Sequence, residues 1–158
     1  MGRAKNNSQS DFFLILRSVL RLCALPLENV SETMRSLPIE PMPDMPVFLL
    51  GLSIIRGAIV PVVNVATLLG YGGHPSPARF VTLKLGDRRV AFAVDEVIGV
   101  RRLTSETTAE IPSLLGAADA GLIDAMTTLD AELILVLQAA HLIPDAVWDA
   151  LDLKRVAQ

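Results

Sequence analysis

The residue types that most often carry chemistry are few in this sequence and far apart. His74, in "YGGHPSPA", and His141, in "QAAHLIP", are its two histidines. Neither has a second His, Cys or carboxylate at the spacing that would hold a metal ion. Cys23 alternates with Leu22 and Ala24 in a segment that reads as a strand, the pattern of an inert buried thiol rather than a nucleophile. As a lone cysteine it excludes an internal disulfide and fits a reducing cytoplasm. The "GYGG" at Gly70 to Gly73 follows a helical pattern, runs into prolines and lacks the Lys-Ser/Thr of a phosphate cradle. The carboxylates of "VDEV" and "LDAELI" fall where turns and strand ends are expected. These groups do not converge, so neither a catalytic residue nor a cofactor or metal site is expected.

The side chain that stands apart is Arg56, the one charge in the apolar run "LLGLSIIRGAIVPVVNVATLLG" from Leu49 to Gly70. The run is about the ~20 residues needed to cross a bilayer. A charge near its middle, with Pro61 and Asn64 after it, argues against a membrane helix. "LSII" and "AIVPVV" are rich in β-branched residues and short enough to be two strands joined at Arg56-Gly57. A short helix, "NVATLLG", then stops at Gly70. A guanidinium keeps its proton, so Arg56 must find a carboxylate or carbonyls inside the fold, or lie at a surface. Two readings stand: a structural arginine satisfied internally, and an arginine displayed among apolar residues to anchor a partner. Gly57 beside it would let a partner come close.

The elements that position these residues are mainly strands. The chain has 158 residues, is 51% hydrophobic and only 4% aromatic, so its core must be built from Val, Ile, Leu and Ala. A net charge of −3 gives no broad footprint for nucleic acid or an anionic membrane. The polar "MGRAKNNSQSD" has no apolar signal region, reads as a disordered tail over residues 1–11, and carries Asn6 where myristoylation favours Ser or Thr. "LPIEPMPDMP" and "YGGHPSPA" are loops by their prolines and glycines.

The chain also resembles itself. "FLILRSVLRLCALPLENV" from Phe13 lies without a gap over "FVTLKLGDRRVAFAVDEV" from Phe80, with Arg17 over Lys84, Arg21 over Arg88, Glu28 over Asp95 and Val30 over Val97. "AIVPVVNVATLL" from Ala58 lies over "ELILVLQAAHLI" from Glu132, with Asn64 over Gln138. This internal duplication predicts two similar halves, about 12–73 and 78–143, meeting near Tyr71 to Ala78. In the second half Gly86-Asp87 is the turn of a hairpin. From Pro144, "DAVWDALDLKRV" predicts an amphipathic helix over 144–158, with Asp145 as N-cap and Val147, Trp148 and Leu151 on its apolar face.

The motifs in this order resemble the CheW-like domain family of bacterial chemosensory adaptors. "FFLILRSVLRLCALPLENVSE" is similar to the family's opening strand pair, "LPIEPMP" to its proline-bearing loop, "GLSIIRGAIVPVVNV" to its "RG.vvP" signature and "FAVDEVIGV" to its "llVD.V..V". The resemblance covers Phe12 to about Ile143. It implies a mainly β fold, two SH3-like five-stranded β-barrel subdomains packed around an apolar seam over 12–143, with short helices and the C-terminal helix. It also implies a cytoplasmic, non-enzymatic, stand-alone adaptor without receiver, phosphotransfer or ATPase segments. Its partners would be the regulatory domain of a CheA-type histidine kinase and the cytoplasmic tip of methyl-accepting chemoreceptors, with no nucleic acid and no membrane insertion. The family's partner-binding positions fall on Glu32 and Arg56, with Val30, Gly51 and Gly57 in the same region. Ile54, Asn64, Val65, Ala66 and Thr33 depart from the family pattern. The alternatives are a module serving a non-chemotaxis kinase, and a sensor holding an apolar carboxylate between the halves against Arg56.

Overall fold

The computed structural model describes residues 11–19, 21–71, 77–103, 123–137 and 143–156. His74, His141 and Gln138, and most of the expected N-terminal tail, lie outside the described residues. The strands are β1 (Phe12–Ser18), β2 (Arg21–Pro26), β3 (Val30–Arg35), β4 (Leu49–Ile55), β5 (Ala58–Asn64), β6 (Arg79–Leu85), β7 (Arg88–Val94), β8 (Glu96–Arg102), β9 (Ile123–Leu129) and β10 (Glu132–Leu137). Helix α1 (Val65–Leu68) follows β5, and α2 (Asp145–Val156) follows β10. The fold is mainly β with few helices, as the composition indicated, and the run from Leu49 to Gly70 is the expected hairpin and short helix. Among the described residues no helix is long and apolar enough to cross a membrane.

The strands form two five-stranded sheets, sheet A in the order β8-β1-β2-β10-β9 and sheet B in the order β3-β6-β7-β5-β4. The same pattern occurs twice: β1 to β5 of the first repeat correspond to β6 to β10 of the second. The repeats do not build separate halves, however. Each sheet takes a hairpin from one repeat and three strands from the other, so the stretch between Tyr71 and Ala78 does not separate the sheets. The reason lies in the pairing of β2 with β10 and of β5 with β7, which is parallel in both cases. Parallel neighbours cannot be joined by a tight turn and must come from distant parts of a chain. Nor are the sheets closed barrels: among the described residues β8 and β9 are the outermost strands of one, and β3 and β4 of the other.

Most central strands are apolar on both faces because both are covered. In β1, Leu14 and Leu16 join the seam between the sheets, packing in one cluster with Val81, Leu83, Phe92 and Leu135. Ile15, between them, turns the other way into a cluster of sheet A residues that includes Leu22, Ile134 and Val136. Sheet B has its own equivalent, with Ile55, Val60, Val62 and Phe80. Each sheet therefore folds around a small core of its own, and the larger third core joins the two. Cys23 is fully buried in the seam, where desolvation pushes its thiol up to about 12, so it is unreactive as expected.

The turns follow from local chemistry. Arg56 and Gly57 both have positive φ (53° and 78°), as do Asp130 and Ala131 (51° and 67°) at the matching turn of β9–β10. Two positive φ values are the mark of a type I′ hairpin, whose twist suits the strands. Asn64 caps α1, its Oδ1 accepting from the Thr67 amide at 3.3 Å. The tail helix forms, but its cap differs from the expected one. The Pro144 carbonyl accepts the amides of Val147 and Trp148 at 3.0 and 3.3 Å, so the helix starts one residue earlier in register and Asp145 is its first residue. Asp145 there complements the dipole instead of capping it.

Val147, Trp148 and Leu151 dock α2 on the seam, and Trp148 is 6% exposed. The Arg88 guanidinium lies over its ring at 4.8 Å, as Arg21 lies over Tyr71 at 5.5 Å in the matching position. An isolated helix of this length is marginal in water, so docking holds it. Trp148→Ala should lower equilibrium stability by about 3 kcal/mol, measured by urea unfolding. An unchanged midpoint would show the helix to be undocked.

Candidate functional site

The β4–β5 hairpin ends in an exposed tip. Arg56 is at its apex with a side chain 73% exposed. Next to it the cross-strand pair Ile54 and Ile59 lies in the open, at 72% and 42%. Large apolar side chains at such exposure beside a cation are typical of surfaces that are covered by a partner.

Glu32 reaches Arg56 from β3. Its carboxylate accepts from Nε at 3.1 Å and from Nη2 at 2.8 Å, a bidentate pair that fixes the plane of the guanidinium. Nη1 is left pointing away from that bond. The hydrogen bond from Arg56, more than its charge alone, holds the Glu32 carboxyl below the usual carboxylate range, and the same bond raises Arg56 further. The pair is solvated, so it orients the side chain more than it stabilises the fold. Placing a long β-branch-free cation at positive φ also runs against the turn's preference for Asn or Asp at that position. Arg56 is therefore a surface side chain held by Glu32 and is not buried inside the fold.

The remaining expected positions are spread around this pair. Gly57 is exposed, and a Cβ there would meet nothing within 4 Å. Val30 is half-buried at the start of β3 opposite Leu83. Gly51 is buried at the far end of β4, away from the tip. Its φ is +146°, and a Cβ would fall 2.1 Å from the Glu40 carbonyl oxygen. That close approach lets the proline loop lie on the β4 edge: Glu40 and Leu52 exchange backbone bonds of 2.7 and 2.9 Å, and the Ser53 hydroxyl donates to the Pro38 carbonyl at 2.7 Å. Gly51 is thus a residue of loop docking, set apart from Arg56.

A cleft of about 280 Å³ opens beside the Arg56–Glu32 pair, floored by Ile55 and Val60 and walled by Thr82, Lys84 and Arg89. The sequence reading missed Lys84 and Arg89 as site residues. A signal existed, since a two-residue turn at Gly86-Asp87 places Lys84 directly opposite Arg89, as the structure confirms. Like charges facing each other across a hairpin are unfavourable, and such a pair asks for a reason. A ligand held in the seam against Arg56 does not fit: the seam is filled by apolar side chains, and Arg56 is at an outer turn. Among the described residues no group of three His, Cys, Asp or Glu is placed to hold a metal.

Residues 13–147 match the family described as the CheW-like domain. "Chemotaxis protein CheW" of Thermotoga maritima is 33% identical over 82 residues, 51% of this chain and 54% of that protein. "Protein FrzA" of Myxococcus xanthus is 31% identical over 103 residues, 63% of each. The matched stretch thus spans less than two thirds of either relative. "Probable chemotaxis protein CheW" of Rhizobium etli is 25% identical over 124 residues, 77% of this chain and 80% of that one. The crystal structure of the scaffolding protein TtCheW from Thermoanaerobacter tengcongensis superposes with a TM-score of 0.74 at 20% identity, covering 85% of this chain and 93% of that one, which shows the fold.

Two measurements check the site geometry. Glu32 has a lowered pKa, so the Arg56 bond contributes above the ordinary Glu range and is lost as pH falls through the lowered value. NMR titration of the Glu32 carboxyl should find it below the usual range in the parent chain and back within it in Arg56→Ala; equal titration in both would break the pairing. Gly51→Ala should cost about 1–3 kcal/mol from strain and the displaced Glu40 loop, read as a lower urea midpoint, whereas Gly57→Ala should cost less because its surroundings are open.

Proposed function

The chain belongs to the CheW-like domain family, and from that premise we propose that it is a non-enzymatic adaptor coupling chemoreceptors to a CheA-type histidine kinase. The names of its relatives support a place in chemotaxis or a similar chemosensory pathway. In this reading the partners are the kinase regulatory domain and the cytoplasmic tip of the receptors, and the adaptor works in the cytoplasm at receptor arrays.

The observation that carries the reading is the tip itself: an arginine oriented by Glu32, with open donors, beside exposed Ile54 and Ile59. Val30, Glu32, Arg56 and Gly57 are the contact residues of this proposal, with Gly51 keeping the neighbouring loop in place. An adaptor needs a rigid surface with an anchor, not a convergent set of reactive groups, and this surface supplies that.

Arg56→Asn separates a binding role from a structural one. Asn suits positive φ and the type I′ turn, so the melting temperature should not fall. Binding of the kinase regulatory domain or of the receptor tip should weaken by at least about tenfold, measured by isothermal titration. Undiminished affinity for both would remove Arg56 from the site. Binding to the kinase with none to receptors would favour the non-chemotaxis alternative.

A further inference from the structure

Because the two sheets repeat one pattern, each position in sheet B has a counterpart in sheet A, and the register fixes which. Leu83 pairs with Val30 as Leu16 pairs with Val97, so Lys84 corresponds to Arg17. Val62 pairs with Ala91 as Val136 pairs with Ala24, so Ala58 corresponds to Glu132 and Arg89 to Leu22.

The counterparts differ in one way. In sheet A, the open end of the small core is closed from within: Arg17 Nη1 donates to Glu132 at 2.8 Å, Glu96 stands 3.8 Å from Nε, and Leu22 is buried beneath. In sheet B the same end is open. Lys84 is present, but Glu132's place is taken by Ala58, and Leu22's place by a further cation, Arg89. Among the described residues neither Lys84 nor Arg89 has a carboxylate within ion-pair reach. With Arg56 the cleft holds three cations against one carboxylate, over the apolar floor of Ile55 and Val60.

We propose that this cleft is a carboxylate-binding site for an acidic segment of a protein partner, which supplies in trans the counter-charge that Glu132 and Glu96 supply to sheet A within the chain. Two facing cations that repel each other become favourable when a carboxylate enters between them, with Arg89 able to take it bidentately. The floor and the exposed Ile54 and Ile59 select a segment with apolar residues alternating with its acids. The inference rests on the adaptor reading for the nature of the partner, though the cleft's charge is independent of it.

The duplication also provides the test. Ala58→Glu gives Lys84 and Arg89 the internal carboxylate that Arg17 has, and Ala58→Gln is its uncharged control. The probe is a synthetic extended peptide of alternating Leu and Glu, with a Leu-Gln peptide for comparison, titrated into the full chain and followed by NMR. Shifts should centre on Lys84, Arg89 and Arg56, fade with added salt, and be absent with the Gln peptide. Ala58→Glu should weaken the Glu peptide by about tenfold while Ala58→Gln leaves it unchanged, with circular dichroism confirming the fold of each. Shifts spread over Arg35, Arg79 and Arg101, or equal binding by Ala58→Glu, would overturn the site. The same variants are then measured against the kinase regulatory domain and the receptor tip. If neither binds the parent chain while the peptide does, the adaptor reading fails and the cleft stands. If they bind the parent chain and Ala58→Glu alike, the cleft is not their acidic contact and the adaptor reading stands. Self-association abolished by Ala58→Glu would make the occupant a second copy and overturn the acidic-partner assignment.

Discussion

The fold depends on two short parallel ladders, β2 against β10 and β5 against β7. Every other pairing in the sheets is antiparallel, and four of those are tight hairpins: β1–β2, β4–β5, β6–β7 and β9–β10. Hairpins form locally, but a parallel ladder forms only when distant segments meet, and here each one ties a strand of one repeat to a hairpin of the other. Neither repeat alone holds a complete sheet. The seam follows from this, because strands that are shared between repeats carry apolar residues toward both their own core and the common one. Loss of either ladder would expose one edge of a hairpin and a wall of the seam together, so the two sheets are coupled in stability as well as in topology.

A molecule built twice from one pattern contains its own comparison. Features kept in both copies are those the pattern needs: paired positive φ values at Arg56-Gly57 and Asp130-Ala131, and an arginine stacked on an aromatic ring at Arg21 and Arg88. Features that differ are free to serve something else. The closed end of sheet A, with its internal Arg17–Glu132 bond, and the open, cationic end of sheet B fall in the second class. The same distinction separates the hairpin tips, one carrying Arg56 and the other Asp130. Opposite charge at matching places removes any equivalence between the two ends of the molecule.

Much of this was legible in the sequence, for reasons that residues show. Pattern and turn chemistry placed the hairpin at Arg56-Gly57, the one at Gly86-Asp87 and the tail helix with Trp148 inward, since alternation, glycine and helical spacing are local signals. The repeat itself was visible as matched residues. The exchange of hairpins was not, because the likeness of Phe13–Val30 to Phe80–Val97 is the same whichever sheet each joins; only parallel pairing over long separations distinguishes the arrangements. A cation's need for a carboxylate called for a partner to Arg56, but it was the resemblance to the CheW-like family that pointed to Glu32, because no local signal joins residues 24 positions apart. Lys84 and Arg89 were overlooked because a charged hairpin end reads as solvated until the register puts the two face to face and the other repeat shows what is missing.

Arg56 itself joins these lines of argument. Its backbone holds a conformation that costs a non-glycine residue free energy, and its exposed ion pair returns little. Asp130, at the same place in the other copy, has a side chain suited to that conformation; arginine does not. A structural role would bury the guanidinium or use its whole fork, yet Glu32 engages only Nε and Nη2 and the side chain stays in solvent. Strain without internal return, a fixed orientation and unused donors at the rim of a cationic cleft have a common physical explanation. The proposed adaptor role supplies it: on that proposal the side chain is held for a contact made outside the chain, and Glu32 lowers the ordering cost of that contact by holding the guanidinium in place before it forms.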